Sequence, residues 1–271
     1  MKGNLRKMVP ANTKPVSYSL PLGDSVVALN EFLGKKIALT FTGTINCIAC
    51  GRKTNKSFNQ GYCFPCMRSL AECDTCIVKP ELCHFVQGTC RDAEWALSHC
   101  MQDHIVYLAN SSGIKVGITR HTQVPTRWID QGATQALPLY RVASRYISGL
   151  VEVIIKNHVA DKTDWRKMLK GDPEPLDLAA QRDALFAQCG KQIKQLENTL
   201  PENSIRLLPD AAITGIEYPV LEFPAKVTSL SFDKTPGVAG TLLGIKGQYL
   251  ILDTGVINIR KFGGYEIEFA A

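Results

Sequence analysis

Cys47-Ile-Ala-Cys50-Gly51, with twelve residues between Cys50 and the Cys63-Phe-Pro-Cys66 that follows, is the stretch on which the organisation of the chain turns. Each C-x-x-C turn presents two thiolates to one ion, and two such turns complete a tetrahedral four-cysteine zinc site. Gly51 relieves the tight turn in which backbone N–H groups point at sulfur. With all four positions filled by protein, such a site is structural and not catalytic. Arg52, Lys53 and Lys56 stand at the tip of the resulting ribbon, where they are candidates for contact with nucleic acid.

Outward from the ribbon, the cysteine distribution continues to speak for metal. Nine of the ten cysteines fall between Cys47 and Cys100, and paired C-x-x-C spacing in an unexported chain reads as metal ligation rather than disulfides. Cys73, Cys76, Cys83 and Cys90 are the preferred ligands of a second site. His84 is an alternative ligand, Cys100 with His104 an alternative pair, and an iron–sulfur cluster an alternative to zinc. Cys90 and Cys100 could equally be small buried apolar residues. The cysteine block, 47–104, has few periodic apolar residues and should depend on metal for order.

The chain has 271 residues, 45% apolar and 21% charged, with a net charge of +6. That supports a globular core and excludes a disordered chain. No apolar run approaches the roughly 18 residues of a membrane span, and no signal peptide is evident, so a cytoplasmic protein without membrane contact is expected. Residues 105–170 alone carry a net +6, against −4 for 171–271. A concentrated positive field favours a polyanion, with nucleic acid first among candidates, or else is a solvated face.

Strand-like runs flank the block. Val16–Leu20 and Lys36–Thr42 alternate in 1–46, and His104–Ala109 and Ile114–Thr119 are joined by Asn110-Ser-Ser-Gly113, a hairpin signal. A short helix from Thr126, a strand over Leu137–Val142 and a helix over Gly149–Asp161 follow. An amphipathic helix then runs from Asp172-Pro173 to Leu200. Residues 201–271 are rich in glycine-punctuated strands and suit a small barrel or sheet of SH3 or OB type. No long internal repeat is apparent. The reading is α+β and modular: an N-terminal β segment (1–46), the zinc-binding region (47–104), an α/β core with its long helix (105–200) and a C-terminal β domain (201–271).

The core resembles the GIY-YIG nuclease superfamily. Ile105-Val-Tyr107 is similar to the first motif strand, with isoleucine for glycine, and Lys115-Val-Gly117 to the second, with lysine for tyrosine. Arg127 resembles the helix-borne arginine, and Glu152 the glutamate that holds a divalent metal. The resemblance spans about 65 residues and implies phosphodiester hydrolysis with Mg²⁺ or Mn²⁺ at Glu152. Tyr107 would orient or deprotonate water, Lys115 would hold phosphate or lower the tyrosine pKa, and Arg127 would stabilise phosphate charge. Arg120, Arg141 and Arg145 would contact phosphates. The whole chain also resembles an uncharacterised bacterial family of zinc-ribbon proteins, which implies no activity. The alternative function is a non-catalytic RNA-binding or ribosome-associated factor on the same scaffold.

Overall fold

The computed structural model describes residues 1–271. Five strands come first: β1 (Lys2–Asn4), β2 (Val9–Ala11), β3 (Ser17–Leu22), β4 (Ser25–Ala28) and β5 (Lys36–Ile45). The cysteine region holds only α1 (Phe64–Ser69), α2 (Ala93–His99) and 3-10 turns. Then follow β6 (His104–Asn110), β7 (Ile114–Arg120), α3 (Thr126–Asp130), β8 (Gln135–Val142), α4 (Arg145–Ile155), α5 (Trp165–Met168) and α6 (Leu178–Glu197). The chain closes with β9 (Ile205–Leu207), β10 (Thr214–Gly215), β11 (Gly237–Lys246), β12 (Tyr249–Leu252), β13 (Gly255–Asn258) and β14 (Tyr265–Ala270). No helix is long and apolar enough to cross a membrane.

The central antiparallel sheet runs β10-β8-β6-β7, with β9 added to β8. Its middle strand β6 is buried along its whole length because it is covered on both faces. Alternation assigns the sides. Ile105, Tyr107 and Ala109 enter one core with Trp128, while Val106 and Leu108 enter another with the apolar faces of α4 and α6.

The sheet beneath the first of these faces corrects the modular reading. Residues 1–46 and 201–271 are not separate units: strands from both build one six-stranded sheet in the order β1-β14-β5-β11-β12-β13, while β2, β3 and β4 form a three-stranded sheet of their own. The six-stranded sheet stays open, with β1 and β13 at its edges, and is not the SH3- or OB-type barrel the glycine pattern suggested.

This sheet, together with the separate three-stranded sheet β2-β3-β4, contains an internal repeat that sequence inspection misses. Residues 19–40 correspond without a gap to 249–270. Both stretches form a hairpin, a 3-10 turn (Leu29–Phe32 and Ile259–Phe262) and a long strand. The hairpin registers agree pair for pair, from Ser19 opposite Ala28 and Tyr249 opposite Asn258 to Leu22 opposite Ser25 and Leu252 opposite Gly255. Gly34 and Gly264, both at positive φ, donate at 2.8 Å to Leu242 O and Leu5 O respectively. Each half thus lends its first strand to the other half's last one: β1 pairs with β14, and β11 with β5. A pseudo-two-fold axis passes where β5 meets β14, with Leu39 opposite its counterpart Phe269. Few side chains are shared between the halves because only the alternation and the turns are constrained.

Candidate phosphate-binding cleft and metal centre

The ribbon thiols converge. The Sγ atoms of Cys47, Cys50, Cys63 and Cys66 all lie within 4.8 Å of one another, and those of Cys50 and Cys63 are 3.8 Å apart. A zinc–sulfur distance of about 2.3 Å gives a tetrahedron with edges of about 3.8 Å. Burial pushes the Cys47 thiol pKa up, but backbone N–H groups of Cys50, Cys63 and Ala49 outweigh it and bring the value to about 6. The Cys66 thiol is raised instead, chiefly by hydrogen bonds with Cys50 and Cys63. One easily formed thiolate beside one that resists ionisation means that the thiols share charge among themselves, and a bound cation would stabilise the charged form of each. The four cysteines are therefore compatible with bound zinc.

A second region of chemical interest is a cleft of about 580 Å³ between the central sheet, the repeat sheet and the cysteine region. Six cationic side chains, Lys7, Lys115, Arg120, Arg127, Arg145 and Arg260, line it with three acidic ones, Asp130, Glu152 and Asp161. Lys115 reaches it from β7 and is only 4% exposed. Burial first, then the Arg127 guanidinium, lowers its pKa to about 8. Glu152 enters from α4. Burial, and next the Asp161 carboxylate, raise its pKa to about 7. Arg260 is pushed down by burial and then by Arg127, so cationic charge is crowded at this end. Such crowding is relieved by an anion.

Of the residues expected from sequence, Lys115, Arg120, Arg127, Arg145 and Glu152 share this cleft. Tyr107 does not. It lies in the core beneath β7, directly opposite Gly117, and its hydroxyl donates to Gln131 Oε1 at 3.0 Å. A Cβ on residue 117 would sit 2.8 Å from that hydroxyl, so the glycine gives the tyrosine its room. Burial lifts the Tyr107 pKa to about 12. A fully buried phenol cannot deprotonate a water in the cleft, which corrects the role drawn from the motif.

Arg141 is also displaced from its expected place. Its guanidinium pairs with Asp103 at 2.5 Å, and it does not line the cleft. Arg145 does, but it is largely buried and donates to Ile77 O, so it ties α4 to the cysteine region as well as facing the cleft. Arg52, Lys53 and Lys56 are exposed on the ribbon and outside the cleft wall; the Lys56 ammonium sits 5.3 Å from the Phe58 ring centre.

Lys7, Gln131, Asp161 and Arg260 were missed because they come from four distant segments with no shared motif. Arg260 occupies the repeat position of Asn30. Asn30 Oδ1 accepts from its own hairpin at Tyr18 N, 2.8 Å away, whereas Arg260 is turned to the cleft.

A family described as a protein of unknown function, DUF2797, has a model that matches residues 34–267. The chain belongs to this family. The match runs from the first half of the repeat through the cysteine region and the central sheet into β14, so cleft and ribbon are both within it. No curated protein and no solved structure matches the chain.

Proposed function

We propose that the cleft binds a nucleic-acid phosphodiester and cleaves it in the manner of GIY-YIG nucleases. The convergence of Lys115, Arg127 and Glu152, from three separate elements, on one net-positive cleft carries this reading. The β-β-α-β-α order of β6, β7, α3, β8 and α4, with β6 central, supports it.

Arg127 and Arg120 bind phosphate oxygens and hold the backbone in register. Lys115, whose pKa is lowered to about 8, can exchange a proton at its Nζ near neutral pH and takes the general-base role that the buried Tyr107 cannot fill. Glu152, with Asp161 beside it, offers carboxylate oxygens of the kind that hold Mg²⁺ or Mn²⁺. Such an ion would supply Lewis-acid polarisation of the phosphoryl oxygen.

The test is cleavage and binding of labelled single- and double-stranded RNA and DNA with Mg²⁺ or Mn²⁺. Glu152→Gln should lower cleavage by at least about 10²-fold while binding persists. Arg127→Ala should weaken binding by about tenfold or more and flatten its salt dependence. Cleavage unchanged in Glu152→Gln would remove the mechanism. The burial of Tyr107 favours a second reading, in which the same cleft holds RNA, alone or on a ribosome, without cutting it. Salt-dependent binding with no turnover under either ion would select that reading.

A further inference from the structure

Residues 46–104 contribute no side chain to any of the three apolar cores. Beyond the ribbon, residues 70–92 are 3-10 turns and loops, with Val78 82% and Val86 88% exposed. Yet Cys76 within this stretch and Cys100 just after α2 are buried. A segment with this little apolar packing needs another source of cohesion.

Its centre is a cavity of about 10 Å³ whose wall is lined by Cys76, Cys83, Cys90 and Cys100, with Asp74 and His84 beside them. That is about the space of one small sphere, enough for a single ion and far too little for a four-iron cluster. All four cysteines are free. Cys73, expected from sequence to be a ligand, is not on the wall and turns toward Asn59 and Glu72. We propose that Cys76, Cys83, Cys90 and Cys100 hold one zinc ion, a second structural site independent of the ribbon.

A rival set, Asp74, Cys76 and His84, has its ligand atoms within 4.8 Å of one another, whereas no three of the four thiols stand that close together. The chemistry of its members argues against it. The Asp74 carboxylate is engaged by the Arg91 guanidinium at 2.7 Å, with His84 Nε2 at 3.5 Å. His84 Nδ1 is 2.8 Å from Thr89 Oγ1. Both side chains are occupied with each other and with neighbours, as an outer layer orienting the thiolate loops would be.

The proposed ion also explains how an irregular loop can serve as a wall of the cleft. Ile77, Val78 and Pro80 line the cleft beside residues of α4. The Arg145 backbone N–H donates to Cys100 O at 2.8 Å, so the metal loop and the helix bearing Glu152 are stitched together.

Elemental analysis of the full chain, purified from medium replete in zinc and iron, tests the site. The expected content is two zinc and no iron per chain, falling to one zinc in Cys83→Ser/Cys90→Ser and staying at two in Cys73→Ser. Zinc X-ray absorption should show an all-sulfur shell at about 2.3 Å. One zinc in the unaltered protein, iron in its place, loss of a zinc in Cys73→Ser, or a nitrogen or oxygen shell near about 2.0 Å would each overturn the assignment. Should the double variant not fold, the unaltered protein and Cys73→Ser still decide.

Discussion

His104 opens β6 with its ring fully buried. Its Nδ1 is 2.7 Å from Gln102 O, and Nε2 has no partner. Burial, opposed by that carbonyl and helped by Arg145 and Arg120, lowers its pKa to about 4. The fold therefore favours the neutral ring, while the unfolded chain takes up a proton near pH 6.5. Stability is lost as pH falls through the window from about 6.5 to about 4, at roughly 1.4 kcal/mol per unit, or about 3 kcal/mol in all. Any loss of zinc from the cysteine region in acid would affect a variant equally. Denaturant unfolding at pH 7 and pH 5 should show His104→Gln losing about 2 kcal/mol less than the unaltered protein. Parallel losses would refute this account. At this scale the sequence was legible where spacing itself is the chemistry, as at Cys47, Cys50, Cys63 and Cys66. It was misleading where a side chain's face matters. Tyr107 and Lys115 both sit on strands, and only the layer covering each face says that the phenol is core and the ammonium lines a cleft.

Among the elements, α4 does most to place the cleft. Ser144 caps it by accepting from Ile147 N at 3.3 Å, so the helix begins at Arg145 rather than at Gly149 as the apolar run suggested. Asp177 caps α6 in the same way, while Pro173 and Pro175 keep the preceding residues extended; the long helix is thus shorter than its pattern. Caps are short-range signals that periodicity overrides when it is read first. Gly149 has a separate task inside α4. A Cβ there would lie 2.5 Å from Glu81 N and 2.8 Å from Pro80 C, so the helix and the cysteine loop touch backbone to backbone. Gly149→Val must push them apart, at a cost of about 1–3 kcal/mol. The expected result is a lowered melting temperature and weaker RNA or DNA binding, with the zinc content unchanged because no thiol is touched. A variant that melts and binds like the unaltered protein would show that this contact does not set the cleft wall.

For the whole molecule, the repeat decides what can fold alone. The two halves exchange their outer strands, and their side chains fill one core together with Tyr107 and Trp128 from the central sheet. Gly3 and Gly240 occupy equivalent positions, each pressed against a hairpin: a Cβ would collide with Gly23 N in the first case and with Asp253 Oδ1 in the second. Sequence inspection bounds 1–46 and 201–271 separately and reaches their pairing only as a guess, because more than 150 residues lie between them and the pairing is non-local. It follows that residues 201–271 expressed alone lack both the β5 partner of β14 and the β1 strand at its other edge. They should show no cooperative unfolding transition and should bind dyes that report exposed apolar surface. Adding a peptide of residues 1–46 should restore a cooperative transition that depends on the concentration of both pieces, since association then supplies the missing strands. A fragment 201–271 that melts cooperatively by itself, at a temperature the peptide does not change, would show instead that the C-terminal half is a self-sufficient domain and that the exchanged strands contribute little to its stability.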